Sequence, residues 1–310
     1  MRQNLSTIIG VIGIGACLAV MSACHGQRGT SVPDNRPASS VASSTPRDIT
    51  FATGDGLTFR GVIESPPLHA RNGWGMLMIG GGFGNDLDWT VPGEIGEGEQ
   101  RVQMTISGES HADAPAISAA LASRGFVVMR WSTIAVDDPL ADEWPSRATP
   151  RTLAELLEQT RYALATLRAV GGIESDQVIL LGHSLGAARA CTLASEDDGV
   201  QGLVLLAPAY FTPPSPRQAR FEAEGMRYGE DVLRARALPC LAIFGGLDTS
   251  RAVNASAARS LAEELGTLDV RLMPSLGHQL GRFEGGRHGP IDPIVLETIC
   301  HWTSAMLKSR

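Results

Sequence analysis

Aromatic residues make up only 5% of this 310-residue chain, and acidic side chains outnumber basic ones, 33 against 26. The net charge of -7 leaves no cationic surface to attract a phosphate backbone, so nucleic acid is not an expected partner. No Gly-X-Y period, heptad run or repeat of 20 to 50 residues occurs, which excludes a fibre, a coiled coil and a solenoid. Neither G-x-x-x-x-G-K-[ST] nor G-x-G-x-x-G with a downstream acid is present, so no phosphate-cradling loop is expected. No Cys and His spacing fits zinc, and Asp86-Leu87-Asp88 and Asp137-Asp138 lack the Gly and Glu of a calcium loop. Those acids read as loop residues, and neither metal nor cofactor is expected. What remains is an ordinary apolar fraction of 43% on a chain long enough to bury a sizeable core.

The apolar run from Ile8 to Ala23 falls short of the ~20 residues of a membrane-spanning helix and follows Arg2, as in an export signal. It ends in Val20-Met21-Ser22-Ala23-Cys24, which resembles the lipobox of bacterial lipoproteins and would make Cys24 the lipid-bearing first residue of the mature chain. Ile14-Gly15-Ala16-Cys17 is a rival with a shorter apolar stretch before it. From His25 to Arg47 the composition turns to Ser, Pro, Gly, Asn and Arg, too polar to offset its ordering entropy by burial. The expected organisation is a signal over 1–23, a flexible tether over 24–47 and one domain over 48–310, exported to the cell envelope and held at a membrane through the lipid. The three cysteines of the domain, Cys191, Cys240 and Cys300, read as small buried thiols.

From Asp48 the chain alternates short β-rich runs with longer amphipathic ones, the pattern of an α/β domain with helices on both faces of a mostly parallel sheet. Ile49–Phe51 and Leu57–Ile63 flank Gly54-Asp55-Gly56 and predict an antiparallel hairpin at one edge. Apolar runs predict six parallel strands, at Trp74–Gly80, Phe126–Trp131, Gln177–Leu181, Gly202–Ala207, Pro239–Gly245 and Asp269–Met273, giving a sheet of about eight. Helices are predicted at 114–123, 152–170, 185–195, 217–235, 252–265 and 291–307. Two long segments, 85–113 and 134–150, leave the C-terminal ends of strands, where open sheets bind ligands; the first provides a small cap.

The chemistry centres on Gly182-His183-Ser184-Leu185-Gly186, a G-x-S-x-G placed directly after an apolar strand and before a small-residue helix. That context exposes the Ser184 hydroxyl on a sharp turn at the top of the sheet. A hydroxyl is a weak nucleophile until a base takes its proton, and the base needs an acid to orient it. Asp248 follows the strand 239–245 and His278 follows the strand 269–273, in the order Ser, acid, His. His288, in the Gly-rich stretch 281–289, is the rival base; His183 reads as a packed, hydrogen-bonded residue, and His111 as an exposed loop residue. An oxyanion would be met by the backbone amides of Leu185 and of Gly82, with Phe83 the alternate, in the loop Gly80-Gly81-Gly82-Phe83-Gly84. Phe83 and Trp131, with Trp89, Tyr210 and Phe211, are the candidate apolar lining of a substrate pocket.

These residues resemble the serine esterases of the α/β-hydrolase superfamily, in particular its dienelactone-hydrolase and prolyl-oligopeptidase-like branch. The resemblance rests on the elbow, on Gly81-Gly82-Phe83-Gly84-Asn85-Asp86-Leu87-Asp88 after the third strand, on Leu121 to Arg130, and on Pro290-Ile291-Asp292-Pro293 before the last helix. After Arg130 the chain departs from the family, with Trp131-Ser132-Thr133 in place of an aromatic, an Asp and a Gly-rich run. The resemblance implies an α/β-hydrolase fold and a hydrolase for carboxylic esters of short to medium acyl length, working through an acyl-enzyme on Ser184, Asp248 and His278. The alternatives are a peptidase or thioesterase on the same residues, or a surface binding lipoprotein that keeps the fold without activity.

Overall fold

The computed structural model describes residues 44–82, 86–91, 111–138, 151–212, 222–284 and 287–309. The expected signal and tether, with Cys24 and Cys17, lie outside the described residues except for Ser44 to Arg47.

The chain opens with β1 (Thr45–Ala52) and β2 (Thr58–Ser65), paired antiparallel with Phe51 opposite Phe59. The reversal at 54–56 is closed by Thr53 N–H donating to the Leu57 carbonyl at 2.9 Å, with Gly56 at a φ of 86°. β1 begins at Thr45 rather than at Asp48. Its first residues pair through the backbone on an exposed sheet edge, where Pro46 is tolerated and no apolar side chain signals a strand.

The remaining elements, in chain order, are β3 (Gly73–Ile79), β4 (Thr90–Val91), β5 (His111–Ala112), α1 (Ala114–Ala122), β6 (Val127–Ala135), α2 (Leu153–Arg168), β7 (Ile173–His183), α3 (Leu185–Glu196), β8 (Val200–Leu206), α4 (Gly229–Arg236), β9 (Cys240–Gly245), α5 (Ala252–Glu264), β10 (Leu268–Met273), β11 (Gly281–Glu284), β12 (Arg287–Ile291) and α6 (Pro293–Lys308). Eight strands form one sheet in the order β1-β2-β6-β3-β7-β8-β9-β10. All neighbours from β6 to β10 are parallel, whereas β2 runs antiparallel to β1 and β6.

The strand period of two splits each central strand between two cores. Leu77, Ile79, Val178, Leu180, Leu203 and Leu205 face α2, α3, α4 and α5. Met76, Met78, Ile179, Leu181, Val204 and Leu206 face α1 and α6. Burial on both faces explains why these strands are continuously apolar in sequence. α2 starts on a capping box: Thr152 Oγ1 accepts from Glu155 N–H at 3.2 Å, and Glu155 Oε2 accepts from Thr152 N–H at 2.7 Å.

One expectation needs correction, and one hairpin was not anticipated. The helix expected over 217–235 is broken within its described part: Gly225 turns at a φ of 82°, and α4 begins only at Gly229. Met226 and Tyr228 between them are buried against Leu185 and Ala188, so their packing overrides the helical pattern. The Gly-rich stretch after His278 is a hairpin, β11 with β12, in which His288 stands opposite Phe283. Of the expected cap over 85–113, residues 92–110 are outside the described residues, as are 139–150 and 213–221.

Candidate active site

Ser184, Asp248 and His278 come from three strand ends, after β7, β9 and β10, and meet at the C-terminal edge of the sheet. Ser184 lies between β7 and α3 with φ 52° and ψ -116°. Its N–H donates to the Leu206 carbonyl at 2.8 Å, and its carbonyl accepts from Ala209 N–H at 3.0 Å, so β8 holds the turn in place. A side chain at Gly186 would run into the Ile79 carbonyl, which is why the helix can approach β3 so closely only with glycine there.

The side chains form a relay. His278 Nε2 stands 3.2 Å from Ser184 Oγ, and His278 Nδ1 stands 2.6 Å from Asp248 Oδ2. With the hydroxyl donating to Nε2, Nδ1 carries the proton and donates it to the carboxylate. Asp248 Oδ1 accepts from Ser250 Oγ at 2.5 Å. Burial alone would raise the Asp248 carboxyl, but the bonds from His278 and Ser250 and the nearby Arg251 outweigh it and hold it below the ordinary carboxylate value. Asp248 is therefore an anion at neutral pH, able to orient the imidazole and stabilise its protonated form.

His183 is packed and hydrogen-bonded, as its sequence position suggests. Its Nε2 lies 3.2 Å from the His278 carbonyl, and its ring is 5.2 Å from the His278 ring and 6.2 Å from the Trp89 ring. Burial, with His278 and Arg251 adding to it, pushes its pKa down to about 3. A neutral His183 thus donates from Nε2 to the loop that carries the base.

Gly82 follows β3 at a φ of 67° and is exposed. A side chain on the preceding Gly81 would stand 2.9 Å from Ser184 Cβ, so this loop passes directly beside Ser184. Leu185 is the first residue of α3, and its N–H has no acceptor within the helix. Phe83 lies outside the described residues.

Trp131 does not line the site. It is 1% exposed and packs edge-on against Phe51 and Phe59, with centroids 5.6 and 6.0 Å away, because β6 turns that side chain into the α2 side of the core. Phe211 is likewise a core residue. Of the other acids, Asp88 pairs with Arg130, Asp269 pairs with Arg271 at 2.8 Å, and Asp292 caps α6 while holding Arg282 at 2.9 Å. Cys191, Cys240 and Cys300 are free and buried.

The α/β-hydrolase GrgF from Penicillium sp. sh18 matches 86% of this chain over 98% of its own length, at a TM-score of 0.51 and 13% identity. The fold is that of the α/β-hydrolases. A dienelactone hydrolase-like promiscuous phosphotriesterase from metagenomic libraries matches at a TM-score of 0.51 and 14% identity, covering 86% of this chain and 97% of its own. An esterase of Pyrococcus furiosus matches at 0.53 and 11%, covering 86% and 90%. The model of the serine hydrolase family matches residues 155–281, a span that includes Ser184, Asp248 and His278. No curated protein is significantly similar to the chain in sequence.

Two cations at this site were not anticipated. Arg251, just after Asp248, donates from Nη2 to Ser184 Oγ at 3.2 Å. Arg189, on α3, is fully buried and donates from Nη2 to the Gly80 carbonyl, at the base of the glycine loop. Its sequence signal was available: α3 is buried on every side from Leu185 to Ala194, and a single charged residue within it had to be buried too. Arg251 had no such signal, since its reach across β8 to Ser184 depends on tertiary structure.

Proposed function

We propose that the chain is a serine hydrolase that cleaves small carboxylic esters through an acyl-enzyme. The observation that carries this reading is the Ser184–His278–Asp248 relay, with contacts of 3.2 and 2.6 Å, mounted on a strand-to-helix turn at positive φ. Ser184 Oγ attacks the carbonyl carbon while its proton passes to His278 Nε2. The oxyanion is met by the amides of Gly82 and Leu185, and collapse of the adduct breaks the bond to the alcohol, which leaves with the proton from His278. Water then attacks the acyl-enzyme with His278 again as base, and the acid and free Ser184 result. These steps use no cofactor.

A fluorophosphonate probe tests this reading. It should label wild-type protein at Ser184 and fail on folded Ser184→Ala, whose ester turnover should fall by roughly 10⁴- to 10⁶-fold. Near-normal turnover by that variant ends the proposal, and a panel of esters, thioesters and peptides separates an esterase from a thioesterase or peptidase on the same residues. We further propose export and anchoring through lipid on Cys24. Cys24→Ser should then abolish membrane partitioning, and a soluble chain cleaved elsewhere refutes it.

A further inference from the structure

We propose that Arg251 makes this site selective for esters whose acyl part carries a carboxylate; the proposal rests on the ester-hydrolase reading and narrows its substrate class. The guanidinium is half-buried, and every hydrogen-bond partner it has among the described residues is neutral, while the Asp248 carboxylate acts on it through space. Its Nη2 donates to Ser184 Oγ at 3.2 Å, its Nε to the Ala207 carbonyl at 3.4 Å, and its Nη1 to the Ser250 carbonyl and hydroxyl at 3.3 Å. Asp248, the acid beside it in sequence, directs one oxygen to His278 and the other to Ser250. Arg168 and Arg161, by contrast, hold the carboxylates of Asp197 and Glu196. With the Asp248 oxygens committed to His278 and Ser250, no carboxylate among the described residues hydrogen-bonds this cation, and an anion arriving with the substrate supplies that contact.

Sheet order places this cation relative to the reacting carbonyl. The glycine loop follows β3, on one side of the nucleophile's strand β7, whereas Arg251 sits over Ala207 at the end of β8, on the other side. A carbonyl attacked by Ser184 points its oxygen toward Gly82 and Leu185, and its leaving group must lie beside His278 Nε2 to receive the proton. The direction left for the acyl substituent is toward Arg251. Once Oγ is bonded to the acyl carbon, the Nη2 proton it had accepted can turn to a carboxylate two or three carbons along the acyl chain. The planar fork of the guanidinium fits that group.

The test is a pair of 4-nitrophenyl esters of nearly equal size, the hemisuccinate and the pentanoate. Wild-type kcat/KM should favour the hemisuccinate at least about tenfold. Arg251→Gln should lower the ratio of the two by roughly 10- to 100-fold, the loss of one charged hydrogen-bonded contact, with Arg251→Lys in between. An enzyme that turns over the pentanoate with no preference for the hemisuccinate overturns the proposal, and so does an Arg251→Gln variant that slows both esters equally. If Arg251→Gln does not fold, free succinate must inhibit wild-type pentanoate hydrolysis competitively and more strongly than pentanamide does; weaker inhibition refutes the assignment. Absence of both turnover and fluorophosphonate labelling sinks the hydrolase reading itself, an outcome distinct from loss of selectivity alone.

Discussion

Replacing His183 should change how stability depends on pH. In the unfolded chain this imidazole takes up a proton below its ordinary value of 6.5, whereas in the folded protein burial beside His278 and Arg251 keeps it neutral down to about 3. The folded state thus binds fewer protons between those limits, and stability must fall as pH drops from 6.5 toward 3. The titratable groups that face it are His278 and Arg251, which oppose its protonation, and Asp248, which favours it. At 1.36 kcal/mol per pH unit, the cost of keeping His183 neutral grows from near zero at about pH 7.5 to about 2 kcal/mol at about pH 5. His183→Gln keeps a donor for the His278 carbonyl but cannot titrate. Urea unfolding of both proteins at the two pH values isolates the effect, because the remaining groups are common to both. The variant should lose about 2 kcal/mol less than wild type on acidification. Parallel losses would mean that His183 is protonated in the folded protein, or that its ring is not buried against His278.

Asp248→Asn should fold and keep substrate binding while kcat falls by roughly 10³- to 10⁴-fold, as measured by steady-state ester hydrolysis; a loss below tenfold would deny the carboxylate its orienting role. Trp131→Ala should cost about 3–5 kcal/mol in chemical denaturation with KM unchanged in the folded fraction, because the ring fills a core bounded by Phe51 and Phe59. A shift in KM alone would return Trp131 to the pocket. Among neutral esters, kcat/KM should rise by up to ~0.8 kcal/mol per methylene over the first carbons and then fall, with no activation at an oil interface. A steady rise through long acyl chains would reveal a deep lidded site.

The central strands and the order Ser, Asp, His were legible because both follow from local pattern. Apolar runs such as 178–181 are buried on two faces, and G-x-S-x-G between strand and helix leaves few other structures. Trp131 was misread since period-two alternation does not say which face a side chain takes until the helices of each face are known. The hairpin of β11 and β12 was not anticipated, because its glycines give no alternating apolar pattern even though Gly281 pairs with Ile291. Arg251 escaped because its partners, Ala207 and Ser184, are 44 and 67 residues away in sequence.

The backbone of Ser184, at φ 52° and ψ -116°, occupies a region that side chains other than hydrogen avoid, at a cost on the order of 1–3 kcal/mol. Attack geometry and thermal endurance therefore pull in opposite directions at this residue. Exchange of serine for glycine would relieve the strain, offset in part by glycine's greater freedom in the unfolded chain, whereas exchange for alanine would keep it. The glycine form should melt above the alanine form despite having the smaller side chain, an inversion of the usual helix-and-core ranking. It is also the better inactive protein in which to trap an intact substrate, since nothing beyond the α-carbon remains to crowd the scissile carbonyl.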